Sequence, residues 1–166
     1  MAEIRRTAIL AIDYGEVRMG LALADIGAAL PRPLATIERV NRNEDMRRLR
    51  EIAREHAVKE IVVGLPLRLD GTRGEMALEA TRFAERVRKQ LGLPVEMVDE
   101  RLTSWEAERL LEEQAGKIFH DDAVPAHVHS NARKKKQAAR ATVDAMAAAV
   151  ILKEYLAKRL NSRTSI

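Results

Sequence analysis

Three acidic residues stand where they could carry chemistry together: Asp13, Glu100 and Asp144. Asp13 ends one β-branched, apolar run and Glu100 follows another, and the carboxyl ends of strands form the ligand-binding edge of open α/β sheets. Grouped carboxylates repel one another, and divalent cations relieve that repulsion. Mg²⁺ and Mn²⁺ prefer such oxygen ligands, and two ions about 4 Å apart could activate water and stabilise a leaving oxygen. The three acids therefore predict metal-dependent phosphodiester hydrolysis.

The strongest single signal is Asp144, the only charged residue in the stretch ATVDAMAAAVIL. A charge inside a helix that otherwise reads as buried costs several kcal/mol unless it is paired or bound to metal. An ordinary alternative is that Asp144 faces solvent. Asp13 could likewise be a strand-end turn residue. Asp99 and Glu100 could pair with Arg101 or cap the helix that follows them.

A basic segment precedes Asp144. At 29 Lys and Arg against 25 Asp and Glu, the chain has a net charge of +4 and a pI near 9.6, which suits a polyanionic partner. If this basic segment is helical, three of its cations share a face with Asp144, and the first of them, Arg133, would lie roughly 16 Å from it. This face predicts a track for nucleic-acid phosphates, although a solvated helix face is the alternative. The cations on it are Arg133, Lys136 and Arg140.

The hydrophobic pattern predicts the elements that position these residues. Two strands at hairpin distance come first, and strands then alternate with helices, which is typical of a mixed sheet with helices packed on both faces. We expect Asn43 to cap the first helix, residues 60–65 to form a central strand, and residues 117–131 to form a loop. The predicted strands are 7–13, 18–24, 31–40 at an edge, 60–65 and 95–98; the helices are 43–56, 75–91, 103–115 and 132–160.

Composition excludes several classes of protein. A chain of 166 residues suits one domain, and the lack of cysteine removes disulfides and thiolate metal sites and favours a reducing compartment. Its apolar runs are too short to cross a bilayer, so we expect no membrane association. The four histidines lack zinc-site spacing. Aromatic residues, at 3%, are too few for a base-stacking platform, so binding through the nucleic-acid backbone is expected.

Four segments together resemble the YqgF/RuvX family: DYGEVRMG at 13–20, GLPL with DGTRG at 64–74, DERLTS at 99–104 and DAMAA at 144–148. The resemblance covers nearly the whole chain. It implies an α/β, RNase H-like three-layer fold with a mixed five-stranded sheet over residues 1–160. Residues 161–166, at the end of the sequence, are expected to fray. The resemblance also implies a nuclease that uses Mg²⁺ or Mn²⁺ and a bacterial, cytoplasmic role in maturing the 5′ end of pre-16S rRNA.

Position by position, the resemblance makes Asp13, Glu100 and Asp144 the metal ligands and catalytic acids. Asp99 stays open as the second ligand, because a one-residue error in strand register exchanges it with its neighbour. The resemblance also implies that Arg18 and Arg101 contact phosphate. Related resolvases often carry another acid one helical turn before the last one, where this chain has Ala141.

Three functions remain open at this stage. The first is an RNA nuclease acting on pre-rRNA, with a ribosomal particle as a further partner and a monomer or homodimer as its state. The second is a Holliday junction resolvase acting on branched DNA, which would require a two-fold dimer; the alanine at position 141 weakens it. The third is a catalytically idle nucleic-acid-binding module, against which the retention of all three acids argues. An actin-like ATPase would need two such domains, and this chain is too short for them.

Overall fold

Five strands and three helices are seen in the computed structural model, which describes residues 6–27, 30–66, 70, 72–99 and 131–164, and only the backbone of 131–141. The strands are β1 (Ala8–Tyr14), β2 (Arg18–Asp25), β3 (Arg32–Glu38), β4 (Val58–Leu65) and β5 (Val95–Asp99). The helices are α1 (Arg42–Glu55), α2 (Glu75–Leu91) and α3 (Asn131–Thr164). The predicted helix at 103–115 and most of the loop at 117–131 lie outside the described residues.

The strands form one mixed sheet in the order β3-β2-β1-β4-β5. β1, β2 and β3 pair antiparallel, whereas β1, β4 and β5 pair parallel. This confirms the predicted five-stranded mixed sheet and the edge position of β3, whose Pro33 lacks the amide hydrogen that an inner strand would need. β4 lies inside the sheet, as expected, with β1 as the middle strand.

The two faces of the sheet are packed differently. Because successive strand side chains point to opposite faces, Leu10 and Ile12 of β1 join α1 and α2, while Ile9 and Ala11 join α3. Large side chains such as Phe83 fill the first layer. On the α3 face the core is rich in alanine, so this helix can approach the strands closely: Ala11, Ala22, Ala24 and Ala148 are all buried there.

Local signals explain most of the helix ends. α2 begins and ends as predicted, and Gly92 closes it in the left-handed region at φ 67°, where its amide donates to the Arg88 carbonyl. The prediction that Asn43 caps α1 is wrong, because the Asn41 side chain accepts a hydrogen bond from the Glu44 amide at 2.9 Å. Asn43 lies inside the first turn.

The last helix is longer than predicted. It begins one residue earlier than expected, at Asn131, and continues past Leu160 to Thr164. In its final turn the Thr164 hydroxyl donates to the Leu160 carbonyl at 3.0 Å, which satisfies a backbone acceptor that a helix end otherwise leaves open. Among the described helices, including this one, none is both long and apolar enough to span a bilayer.

Candidate active site

Asp13 lies on the α3 face of the sheet, near the carboxyl end of β1. It shares strand parity with Ile9 and Ala11, which pack against α3, and it is half-buried. Register pairs it with Gly20 of the antiparallel neighbour β2. The predicted position of Asp13 at the carboxyl end of the first strand is therefore observed, and its side chain is directed toward the helix that carries Asp144.

Gly20 is the point at which α3 touches the sheet. A Cβ atom built on Gly20 would lie 1.9 Å from the Asp144 carbonyl oxygen and 2.9 Å from the Ala145 nitrogen, which no real side chain could do. The absent side chain thus lets two backbones meet. Since Gly20 is the register partner of Asp13, this contact brings the segment that bears Asp144 beside the strand that bears Asp13.

Asp144 forms an ion pair with Arg18 of β2. The Arg18 Nε donates to Asp144 Oδ2 at 2.8 Å, across 126 residues of sequence, and about a quarter of each side chain is exposed. Arg18 is therefore a partner for the Asp144 carboxylate, the only charge in its apolar stretch of sequence. The structure places Arg18, which the family resemblance assigned to phosphate, against one of the predicted metal ligands.

A second arginine–aspartate pair lies behind the β1–β2 turn and was missed by sequence reasoning. Asp45 in the first turn of α1 is buried, accepts from the Val40 amide at 3.0 Å and pairs with Arg39 Nε at 3.3 Å. Arg39 Nη1 also donates to the Tyr14 hydroxyl at 2.9 Å and to the Gly15 carbonyl at 3.2 Å. The turn that follows Asp13 is therefore tied to α1.

The same arginine stacks on an aromatic pair. Its guanidinium carbon lies 4.7 Å from the centroid of the Tyr14 ring, and that ring packs on Phe83 of α2 with centroids 4.6 Å apart. Both contacts are individually worth about 1 kcal/mol at most sites. Together they fix the end of β1 against the helical layer, so the backbone at Asp13 is held from the opposite side of the sheet.

The described acids fit a hard divalent cation in their chemistry. Asp13 and Asp144 offer carboxylate oxygens on one face, and a carboxylate that accepts from one arginine retains lone pairs for a metal. Within the described ranges no group of three potential ligands converges, and the predicted third ligand, Glu100, lies outside them, as does Arg101. Asp99 shares strand parity with Met97, which packs on the α1 and α2 side, so it is directed away from the other two acids.

Helix α3 carries the predicted basic positions. Its backbone is helical through Arg133, Lys136 and Arg140, whose side chains are outside the described part of the chain. Further along, Tyr155 and Arg159 both bind the carboxylate of Glu60 on β4, with the arginine Nη1 at 2.7 Å. Burial, together with the hydrogen bond to Glu60, raises the pKa of Tyr155 to about 12. This contact anchors α3 at the end of the sheet opposite Asp144.

Solved structures share this architecture. The Thermus thermophilus RuvC bound to a Holliday junction substrate superposes with a TM-score of 0.53 and 14% identity, over 92% of this chain and 96% of that one. A fowlpox virus resolvase in complex with Holliday junction DNA superposes with a TM-score of 0.51 and 7% identity, over 90% and 98%. At these identities the likeness establishes the fold, which is RNase H-like as predicted.

Sequence relatives are much closer. A protein from an Anaeromyxobacter species, named "Putative pre-16S rRNA nuclease", is 41% identical over 150 residues, which cover 90% of this chain and 96% of the relative. A Chloroflexus aurantiacus protein of the same name is 37% identical over 158 residues, covering 95% and 92%. The model of the family described as "RuvX: Holliday junction resolvase" matches residues 7–158. This chain therefore belongs to the RuvX family.

Proposed function

We propose that this protein is a metal-dependent nuclease that hydrolyses RNA phosphodiesters in the 5′-end maturation of pre-16S rRNA. The observation that carries the proposal is the meeting of β2 and α3 at Gly20, because it brings Asp144 to the face and the edge of the sheet where Asp13 lies. Asp13 and Asp144 are 131 residues apart in sequence, and two acids on one face of a sheet repel each other unless something relieves their charge. A shared metal ion that binds a phosphate would relieve it.

Asp13, Glu100 and Asp144 would hold the metal. Strand alternation directs Asp99 to the α1 and α2 face, away from Asp13 and Asp144, and this supports Glu100 as the second ligand. When bound, Mg²⁺ or Mn²⁺ would activate the attacking water and neutralise charge on the phosphate. The protein's own contribution is to orient the carboxylates, through the Gly20 contact and through the fastening of the β1 end by Arg39.

Arg18 has two roles open to it at this site. It balances the charge of Asp144 and is one-third exposed or less, so it can hold the carboxylate in place. Arginine also matches the geometry of a phosphate group, to which it can donate two parallel hydrogen bonds. Arg133, Lys136 and Arg140 precede Asp144 on α3, and we propose that they lead the nucleic-acid backbone toward the acids.

Two observations bear on the choice of substrate. The relatives that share up to 41% identity over nine-tenths of this chain are named for pre-16S rRNA, which supports RNA as the substrate. The family description and the fold likeness to a junction-bound resolvase support branched DNA as the second candidate. The proposed location in the cytoplasm follows from a role in rRNA maturation.

Cleavage assays separate these candidates. Wild-type protein and Asp144→Asn are incubated with a 5′-extended small-subunit rRNA precursor and with a four-way DNA junction, each with Mn²⁺ or with chelator. We expect metal-dependent cutting of the RNA by wild type and a loss of at least about 100-fold in Asp144→Asn, since metal ligands contribute several kcal/mol to the transition state. Asparagine can still accept a hydrogen bond from Arg18, so the fold should be retained.

Asp25→Asn is the matched control. Asp25 lies at the far end of β2 in long surface ion pairs with Arg6 and Arg32, at 3.8 and 3.7 Å, and its replacement should leave the cleavage rate unchanged. Symmetric cuts in the junction with no cutting of the RNA would move the assignment to a resolvase. If folded wild type binds both substrates and cuts neither with Mn²⁺, the nuclease proposal fails.

A further inference from the structure

The face of the sheet opposite Asp144 carries a basic groove that the site described above does not use. A cavity of about 340 Å³ opens beside Tyr14, between the β1–β2 turn and the helices α1 and α2. Side chains from three different elements converge on it. We call it the arginine groove, and define it by Arg39, Arg42, Arg82 and Arg86, with Glu16 and Glu79 also in its wall.

Among the residues that the structure describes, only one of the four arginine side chains has a partner. Arg39 is paired with buried Asp45, but the side chains of Arg42, Arg82 and Arg86 make no hydrogen bond or ion pair within the described part of the chain. Arg82 and Arg86 are spaced so that they share a face of α2, one turn apart. Their guanidinium groups remain available to a ligand, and the arginines outnumber the two glutamates.

Arg42 occupies a position that helix physics does not favour. It is the first residue of α1, where the partial positive charge of the helix terminus repels a cation and favours an acid such as Glu44. Folding therefore gains nothing from a positive charge at this point. An anionic ligand in the groove would gain from both the guanidinium group and the terminus.

The groove adjoins the proposed active site. Tyr14 lines the groove and follows Asp13, a proposed metal ligand, directly in sequence. The Cα atoms of these two residues are therefore about 3.8 Å apart. Asp13 itself is directed to the face of the sheet that packs on α3, the helix whose sequence carries the predicted basic positions. A nucleic-acid strand bound at Asp13 would thus have the arginine groove on one side of the sheet and α3 on the other.

We infer that the arginine groove binds the phosphate backbone of the nucleic-acid strand on the side of the scissile bond opposite the α3 basic positions. The inference rests on the proposed function, because it takes the substrate to be a nucleic acid. It adds a second contact region, made of Arg42, Arg82 and Arg86, to the one predicted from α3. Guanidinium groups match phosphate oxygens in RNA and DNA alike, so the groove recognises the backbone and not the base.

Binding is measured by fluorescence anisotropy with chelator present, so that no cleavage is needed. The probes are a short single-stranded RNA and a four-way DNA junction, each titrated over a series of salt concentrations. The variant Arg42→Gln/Arg82→Gln/Arg86→Gln should lose at least about tenfold in affinity at 0.1 M salt, and its salt slope should fall by about 0.7 per lost phosphate contact on a single strand. The probe that loses more affinity identifies the nucleic acid that the groove holds.

Two further variants make the test specific. Arg54→Gln removes an exposed arginine from the far end of α1, outside the groove and without a side-chain partner among the described residues, and should bind as wild type does. Glu79→Gln removes a negative charge from the groove wall on α2 and should tighten binding, a change of the opposite sign that loss of folding could not produce. Circular dichroism checks that each variant is folded.

The outcomes also separate this inference from the proposed function. If the triple variant and Arg54→Gln bind both probes equally, or if Glu79→Gln does not tighten binding, the groove inference is overturned even if the enzyme cuts RNA. If wild type binds through the groove in chelator but cleaves neither substrate with Mn²⁺, the nuclease proposal fails while the groove stands.

Discussion

Two arginine–aspartate pairs flank the carboxyl end of β1, and they differ in almost every physical respect. Asp45 is 1% exposed and accepts hydrogen bonds from both Arg39 and the Val40 amide. Asp144 keeps about a quarter of its side chain exposed, and Arg18 Nε donates to one of its oxygens at 2.8 Å. The first pair is enclosed by the helical layer, and the second lies at the solvent-facing edge of the α3 face.

The difference in burial and hydrogen bonding indicates whether a charged pair stabilises the fold or can take part in chemistry. A buried pair with several hydrogen bonds costs much to break, because the charge that remains has lost its solvent. A partly exposed pair with one contact contributes about 1 kcal/mol or less and can exchange its partner. Arg39 and Asp45 therefore hold the fold, whereas the Arg18–Asp144 pair is compatible with the metal and phosphate roles proposed for it.

The largest loss of stability is expected at Gly20, where the backbones of β2 and α3 meet beside Asp144. Gly20→Ala places a methyl group 1.9 Å from a carbonyl oxygen of α3, so helix or strand must move by more than an ångström. We expect a loss of about 3 kcal/mol or more in the free energy of unfolding, at the upper end for overpacking. Cleavage should fall in parallel, because Asp144 moves with the helix.

Urea unfolding and the cleavage rate measure this prediction together. Gly27→Ala is the control: beyond its chain neighbours, no described residue lies within 4 Å of the added methyl group, and the cost is the left-handed backbone at φ 91°, about 1 to 2 kcal/mol. A Gly20→Ala protein that is as stable and as active as wild type would show that α3 does not rest on β2 at this glycine.

A smaller loss of stability is expected when the buried Arg39–Asp45 pair is broken. Arg39→Met removes the countercharge of buried Asp45, and also the hydrogen bonds to Tyr14 and Gly15. We expect a loss of about 3 kcal/mol in the free energy of unfolding, the lower end for a broken buried pair, since Asp45 keeps its bond to the Val40 amide. Arg39→Met/Asp45→Leu, which removes both charges, should recover part of that loss. If Arg39→Met were as stable as wild type, the buried pair would stabilise the fold no more than the partly exposed pair does.

The smallest effect on stability is expected at Arg18. Arg18→Gln should cost about 1 kcal/mol or less, because its ion pair is partly exposed. It should raise the affinity of the free protein for Mn²⁺ roughly 30-fold, since a positive charge 4 Å away repels a divalent cation by about 2 kcal/mol in water. Calorimetric titration measures this. Equal or weaker Mn²⁺ binding by the variant would contradict the exchangeable role of the pair.

Much of the fold could be predicted because its signals are local. The helix from Glu75 to Leu91 was predicted to the residue, since its apolar spacing and its terminal glycine act over a few positions. The apolar runs also predicted the strands of a mixed sheet, with β3 at an edge and β4 inside it. The cap of α1 was misplaced because asparagine occurs at both 41 and 43, and only the hydrogen bond to Glu44 distinguishes them.

The site was predicted in part for the same reason. Asp13 and Asp144 are conspicuous in their own segments, but the partner of Asp144 lies 126 residues away, and no local pattern names Arg18. Asp45 was overlooked because an acid in the first turn of a helix is ordinary. Its spacing of four from buried Leu49 places it on the buried face of α1, and that signal could have found it.

The long separation between Arg18 and Asp144 has a consequence for the time at which the protein becomes active. A ribosome adds about 5 to 20 residues per second, and the hairpin that bears Asp13 is made many seconds before α3. Until the last helix has been synthesised and has settled on Gly20, a nascent chain has two of the three proposed acids and no completed site. The proposed nuclease activity would therefore begin only after synthesis of the chain is almost finished.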